Sequence, residues 1–329
     1  MNGARLPQDA DYGIVAVAMP NHSSPIVGVD VGGTFTDFVY LDAGRLRVHK
    51  LLSTRADPAV ALLAGLDALA AAPNAIISHG TTVATNAVLE HTGARVALIT
   101  TRGFRDLLAI GRQTRPALYR LAFPPQWLPA ADELRFETTE RVAATGEVVT
   151  PLDEAEIAAT LDRIVAAGAE ALAVCLLFSF ANPAHEQTIK RLAEARGLPV
   201  SLSSEILPEF REFERTSTTV LNAYVSPLMA RYLDALEAGL ARRQSVTATA
   251  GQRGEAVGGQ SRLWIMQSSG GILDAATARR EAVRTLLSGP AGGVIGAFHV
   301  AALAGYDRII TFDMGGTSTD VALADGQIR

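Results

Sequence analysis

Hydrophobic and polar positions first fall into a regular order at Pro25. Residues 25–30 form a buried-strand run that enters a Gly-Gly turn, residues 38–41 read as the returning strand, and residues 45–48 as a third. This pattern predicts an antiparallel meander with glycine at its tip. An amphipathic helix over 58–72 follows, with Asp57 as N-cap and Pro58 in the first helical position. Residues 75–79 then make a strand feeding the polar turn Gly80-Thr81-Thr82, residues 84–90 a helix, and residues 95–100 another buried strand. Strands and helices alternating at this size predict an α/β fold with a parallel or mixed sheet and helices on its faces.

Beyond a Pro-rich stretch of loops and short strands (117–150), the alternation resumes. It predicts a helix over 153–167, a strand over 171–180, a helix from the Asn182-Pro183 cap to Arg196, and a strand over 200–203. A long helical stretch over 216–240 contains Pro227, which is expected to break or kink it. Glycine-rich residues 247–261 read as an exposed flexible loop. A strand over 263–267 ends in the turn Ser268-Ser269-Gly270-Gly271. The helix over 288–303 carries Gly289, Gly293, Ala297 and Ala301 at four-residue spacing, a surface for close packing or a hinge. Residues 309–313 return to the strand and Gly-Gly pattern of the start.

Composition narrows the field. The 329 residues carry 29 Lys and Arg against 34 Asp and Glu, a net charge of −5, so no basic stripe for nucleic acid is expected. A single cysteine excludes a disulfide framework, and Cys175, within an apolar strand, reads as an inert core residue. The two lysines, Lys50 and Lys190, lie outside any P-loop pattern, and the dinucleotide, zincin and hydrolase-elbow motifs are missing. No apolar run is long enough for a membrane span, so a cytoplasmic protein is expected. Residues 1–24 read as a loose leader, 25–204 as a first domain and 205–329 as the start of a second.

The chemistry lies in a repeat. Asp30-Val31-Gly32-Gly33-Thr34-Phe35-Thr36-Asp37 and Asp313-Met314-Gly315-Gly316-Thr317-Ser318-Thr319-Asp320 share D-x-G-G-T-x-T-D, 283 positions apart, each between apolar runs. Two identically spaced copies in matching context point to internal duplication. Successive glycines let backbone N–H groups converge on a phosphate, and threonine hydroxyls add donors. The residues expected to hold phosphate are therefore Gly32, Gly33, Thr34, Thr36, Gly315, Gly316, Thr317 and Thr319. Asp30 and Asp313, at the strand ends, are placed to hold Mg²⁺ or to orient an attacking group. Asp37 and Asp320 either join them or bond their own turns.

With these motifs the chain resembles the actin-like ATPase superfamily, and within it the hydantoinase A/5-oxoprolinase family. The resemblance runs from about Ile26 to the C-terminus. It is carried by both hairpins, by His79-Gly80-Thr81-Thr82-Val83-Ala84-Thr85-Asn86, Thr101-Arg102-Gly103-Phe104-Arg105-Asp106, Cys175 to Pro183, Glu214-Arg215-Thr216-Ser217-Thr218, Met266 to Gly271 and Ser288-Gly289-Pro290-Ala291-Gly292. It implies a ribonuclease H-like/actin-like ATPase fold of duplicated mixed sheets with flanking helices. It also implies ATP and Mg²⁺ as cofactors and ATP-dependent ring opening of a cyclic amide, such as a hydantoin or 5-oxoproline, by phosphorylation of the substrate oxygen. Alternatives on the same scaffold are an acetone- or acetophenone-type ketone carboxylase subunit and, outside metabolism, an actin-like nucleotide switch. A B-type hydantoinase subunit in a hetero-oligomer is the implied partner.

In this reading Asp30, Asp313 and His79 are the catalytic candidates, with Thr81, Thr82, Asn86 and Gln267-Ser268-Ser269 as possible substrate contacts. Arg102, Arg105, Arg112 and Arg115 read as surface or interdomain pairs, with binding of a substrate carboxylate as the alternative. The sequence ends nine residues after Asp320, so a truncated second lobe without an adenosine pocket, and only millimolar ATP binding, are expected.

Overall fold

The computed structural model describes residues 25–42, 45–54, 57–72, 74–114, 119, 127–249, 262–314 and 319–328. The opening meander is β1 (Ile26–Val31), β2 (Phe35–Asp42) and β3 (Arg45–Leu52), followed by α1 (Pro58–Ala68). The carboxylate of Asp57 caps α1 by accepting from the N–H of Ala59 at 3.1 Å. Then come β4 (Ile76–Thr81), α2 (Val83–Leu89), β5 (Val96–Thr101), the short α3 (Leu107–Ile110), β6 (Arg135–Thr138) and a small ribbon of β7 (Arg141–Val142) and β8 (Val148–Thr150). The chain continues through α4 (Glu154–Ala166), β9 (Ala171–Cys175), α5 (Ala184–Glu194), β10 (Val200–Leu202), α6 (Ser203–Ile206) and α7 (Glu212–Thr249). Last come β11 (Arg262–Met266), β12 (Ile272–Asp274), α8 (Ala275–Arg280), α9 (Ser288–Leu303), β13 (Arg308–Met314) and β14 (Thr319–Asp325).

The first sheet has the order β12-β11-β4-β1-β2-β3. Its β1–β3 meander is antiparallel, whereas β4 runs parallel to β1 and β11 parallel to β4. This is the mixed α/β sheet that the sequence pattern predicts. The second sheet, β10-β9-β5-β6, is wholly parallel. Every residue of β5 and β9 is buried, because α4 and α5 cover one face and α7 the other. A parallel sheet covered on both faces favours such unbroken apolar strands.

Several boundaries differ from the sequence expectation. Gly80 and Thr81 belong to β4 rather than to a turn, since they pair with Asp30 and Val31. The strand expected over 171–180 stops at Cys175; Phe178 takes the left-handed region at φ 56° and a turn follows. That turn is held by Arg215, which is fully buried and donates to Ser179 Oγ at 2.6 Å, Ser203 Oγ at 2.8 Å and the carbonyl of Leu176 at 2.8 Å, and pairs with Glu212. Buried Glu186 completes the network by accepting from the N–H groups of Leu176 and Ser204, both at 2.9 Å. Ser203 opens α6 instead of extending β10.

Pro227 does not break α7, which runs continuously through it. The proline removes one helical hydrogen bond, but Tyr224, Val225, Met229 and Leu233 are buried around it and packing outweighs that loss. The helix also continues to Thr249, into the segment expected to be a loop; residues 250–261 and the expected leader 1–24 lie outside the described residues.

Gly65 on α1 shows how closely the helix meets the sheet. A Cβ built there would lie 2.0 Å from the buried ring of Phe38. Alanine gains about 1 kcal/mol in helix propensity, but overpacking of about 1–3 kcal/mol or more opposes it. Gly65→Ala is therefore expected to lower the urea midpoint; an unchanged or higher midpoint would contradict this packing.

Candidate functional site

The two copies of the repeat fold alike. Asp30 pairs with Asp37 and Val31 with Thr36 across β1 and β2. Asp313 pairs with Asp320 and Met314 with Thr319 across β13 and β14. Both hairpins meet at one cavity of about 440 Å³, lined by Asp30, Gly32, Gly33, Thr34, Asp37, Lys50, Thr82, Gly289, Pro290, Asp313 and Asp320, among others. Gly315, Gly316 and Thr317 lie outside the described residues, and Thr319 is exposed on β14 but does not line the wall.

The first turn is fastened from behind. Gly32 N–H donates to the carbonyl of Phe35 at 3.0 Å. Ser53, just past β3, donates its hydroxyl to the carbonyl of Gly32 at 2.7 Å and its N–H to that of Thr34 at 2.9 Å. Thr36 is fully buried and bonds the Ser53 hydroxyl at 2.9 Å. Its expected place as a phosphate donor is thus corrected: strand alternation turns its side chain away from the cavity.

Asp30 occupies a tight corner that nevertheless remains open to the cavity's water. A Cβ on Gly80 would lie 3.1 Å from its Oδ1, and one on Gly289 3.3 Å from the same atom. Glycine at both positions lets the backbones of β4 and α9 approach this carboxylate without crowding it. Burial of the carboxyl, then the charges of Asp37 and Asp313, push its pKa up to about 6, with Lys50 opposing them. Lys50 pairs with Asp37 at 2.8 Å and lies over the Phe35 ring at 4.8 Å.

The first turn of α9 brings Gly289 and Pro290 to the wall. The positive end of a 16-residue helix thus faces the carboxylate-rich space, an arrangement suited to phosphate. Ser288 anchors this end by donating to the carbonyl of Thr81 at 3.1 Å. Sequence reasoning misses Lys50, Ser53 and the role of this helix start. Spacing along the chain gives no signal for the lysine or the serine, and the Ser-Gly-Pro at the start of α9 enters only as part of the resemblance, its helix read as packing or hinge.

Thr82 lines the cavity and donates its hydroxyl to the carbonyl of Val31 at 3.0 Å, while Asn86 supports it at 3.4 Å. His79 is elsewhere. It is fully buried beside α7, with Nε2 2.6 Å from the Tyr232 hydroxyl and Nδ1 3.4 Å from the carbonyl of Val29. This corrects its expected position in a crevice: His79 pairs with Val29, one residue before Asp30, and so faces the opposite side of the sheet. Burial lowers its pKa to about 4 from 6.5. The unfolded chain takes up that proton at higher pH than the folded one, so the stability held by neutral His79 is full above pH 6.5 and is lost as pH falls towards 4. Between pH 7 and 5 the loss should be about 2 kcal/mol. Urea unfolding of wild type and His79→Asn at both pH values checks it; equal pH slopes would dismiss the assignment.

The other candidates lie away from the cavity. Arg105 pairs with Asp132 at 3.0 Å and Arg112 pairs with Glu214; Arg102 is exposed, and Arg115 falls outside the described residues. Cys175 bonds the Thr216 hydroxyl at 3.0 Å, and burial pushes its thiol up to about 11, as fits an inert core residue. Ser268 is tied to the carbonyl of Arg284 at 2.7 Å within the turn after β11.

Residues 26–197 match the pattern of the hydantoinase/oxoprolinase N-terminal region, and residues 215–329 that of hydantoinase/oxoprolinase. The chain belongs to the hydantoinase/oxoprolinase family. It is 37% identical over 316 residues to caprolactamase subunit alpha of Pseudomonas jessenii, covering 91% of this chain and 43% of that protein. The crystal structure of the ATP-dependent caprolactamase from Pseudomonas jessenii is similar at a TM-score of 0.75 and 35% identity, over 91% of this chain and 43% of that one. A nucleotide-free acetone carboxylase structure is similar at a TM-score of 0.78 and 28% identity, over 92% of this chain and 44% of that one. The chain thus spans less than half the length of these family members. Among the described residues no helix is long and apolar enough to cross a membrane.

Proposed function

We propose that this family member carries the phosphate-handling site of an ATP-dependent enzyme that opens cyclic amides, working with a B-type subunit in the cytoplasm. The observation that carries the reading is the shared cavity on which two identically registered aspartate hairpins and the start of α9 converge. Burial, and then the charges of Asp37 and Asp313, push the Asp30 carboxyl up to about 6. Oxygen donors of this kind suit a hard divalent cation such as Mg²⁺. Among the described residues no cluster of three or more metal-ligating side chains forms. Mg²⁺ is commonly held by one or two carboxylates together with phosphate oxygens and water.

In this reading Asp30 and Asp313 hold the cation. Gly33, Thr34 and the first turn of α9 bind phosphate oxygens, Gly32 shapes the turn that presents them, and Lys50 neutralises charge beside Asp37. Thr82 fixes the floor. When bound, ATP would supply the phosphoryl group that activates the amide oxygen and Mg²⁺ would offset its charge, and the chain's task is to position the two. The test is phosphate release by the protein with its partner subunit: stimulation by lactams, hydantoins or 5-oxoproline supports the reading. The likeness to acetone carboxylase favours a second reading, and stimulation only by ketone with bicarbonate would replace the first.

Lys50 offers a sharper check. Its pair with Asp37 is half exposed, so it contributes at most about 1 kcal/mol to stability. Lys50→Met should therefore leave the melting temperature nearly unchanged while weakening Mg²⁺-ATP binding about tenfold, equivalent to about 1.4 kcal/mol. Equal affinity in calorimetry would remove Lys50 from the site.

A further inference from the structure

A second cavity, of about 570 Å³, opens between α5, the edge strand β10 and the α7–α8 pair, and shares no residue with the phosphate cavity. Val200, Ile206, Ala223 and Pro227 give it an apolar wall, and Glu194 and Arg280 stand at its rim. Among the described residues neither of these two charges has an ion-pair partner. Their charged neighbours are neutralised: Lys190 by Glu205 at 3.0 Å, Arg279 by Asp234 at 2.8 Å and Glu237 at 2.5 Å, and Glu281 by Arg284 at 2.7 Å.

The α7 segment behind the wall is under-satisfied at its proline. Ser226 lines the cavity, and its buried hydroxyl has no hydrogen-bond partner. Pro227 has no N–H, so the carbonyl of Ala223 one turn earlier lacks its usual helical donor.

We propose that this cavity binds an amino acid zwitterion with an apolar carbon chain. Its ammonium group meets Glu194, its carboxylate meets Arg280, and its methylenes pack against Val200, Ile206 and Pro227. A ligand with one charge leaves either Glu194 or Arg280 unanswered, whereas the zwitterion answers both. The ligand class rests on this cavity alone. That an amino acid is also what ring opening of a cyclic amide yields rests on the function proposed above, and on that reading the cavity senses product.

The experiment is calorimetry on the 329-residue chain with 5-aminopentanoate, and with pentylamine and pentanoate as single-charge controls. The zwitterion should bind at least tenfold more tightly than either control. Arg280→Gln and Glu194→Gln should each weaken it at least fivefold, and Ala230→Leu, which fills the cavity, should abolish it, with melting curves confirming that each variant is folded. No binding to the intact chain, equal binding of all three probes, or unchanged binding in both charge variants overturns the proposal. Asp30→Ala should leave zwitterion binding intact, so failure here and failure of the phosphate site are told apart.

Discussion

Asp30→Ala is expected to reduce ATP-dependent phosphate release by the protein and its partner subunit to background, and Asp313→Ala to do the same. Removing a carboxylate that holds the cation against a transferring phosphoryl group costs on the order of 10²–10³ in rate, or more. The fold should survive. The folded pKa of Asp30, about 6, lies above its ordinary 3.8. Its contribution to stability is therefore fully present below pH 3.8 and lost as pH rises through 6, so at pH 7 the ionised group is a burden. Asp30→Asn should melt no lower than wild type at pH 7; because the side chain still meets cavity water, the gain is held to about 1 kcal/mol or less by screening. Turnover retained in both alanine variants would remove the aspartates from the chemistry.

The largest expected effect on folding lies far from that cavity. Arg215→Met should cost about 3–5 kcal/mol, because it strands the partners of a fully buried charge. Ser179, Ser203 and the carbonyl of Leu176 would lose their donor, and the turn that carries left-handed Phe178 would lose its anchor. At about 2–4 °C per kcal/mol for a chain of this size, the melting temperature should fall by roughly 10 °C. The exposed pair of Arg196 and Asp162, at 2.8 Å, is the control; its removal should cost less than about 1 kcal/mol. An equal, small loss in both variants would show that the buried network is not what holds the turn.

Local patterns are legible where one short-range rule governs them. Asp57-Pro58 announces α1, the apolar runs announce β5 and β9, and the doubled D-x-G-G-T-x-T-D announces two hairpins, although nothing in their spacing says that they share one cavity. What the sequence hides depends on distant partners. β9 reads too long because Leu176 to Phe180 is as apolar as a strand, and Arg215 and Glu186, from other elements, turn it aside. His79 looks like a strand-end residue because the pairing of β4 with β1, which extends the strand and settles its facing, lies 50 positions back in the chain. Lys50 and Ser53 reach the first hairpin only because β3 folds back along β2. Pro227 misleads because its helix is set by burial along α7 rather than by local propensity.

The pairing of Ile76 in β4 with Arg262 in β11 joins residues 186 positions apart. During synthesis the inner edge of β4 therefore waits, with its backbone donors and acceptors bare, until β11 emerges. At about 5–20 residues per second that interval is roughly ten to forty seconds. Long-range parallel pairing is also slow to form once its strands are available. A nascent chain halted before Arg262 carries an open edge beside Ile76 and Ile77, which favours association with other chains over waiting. The step most exposed to misassembly is thus the arrival of β11, and the whole second sheet must be made in the interval before it.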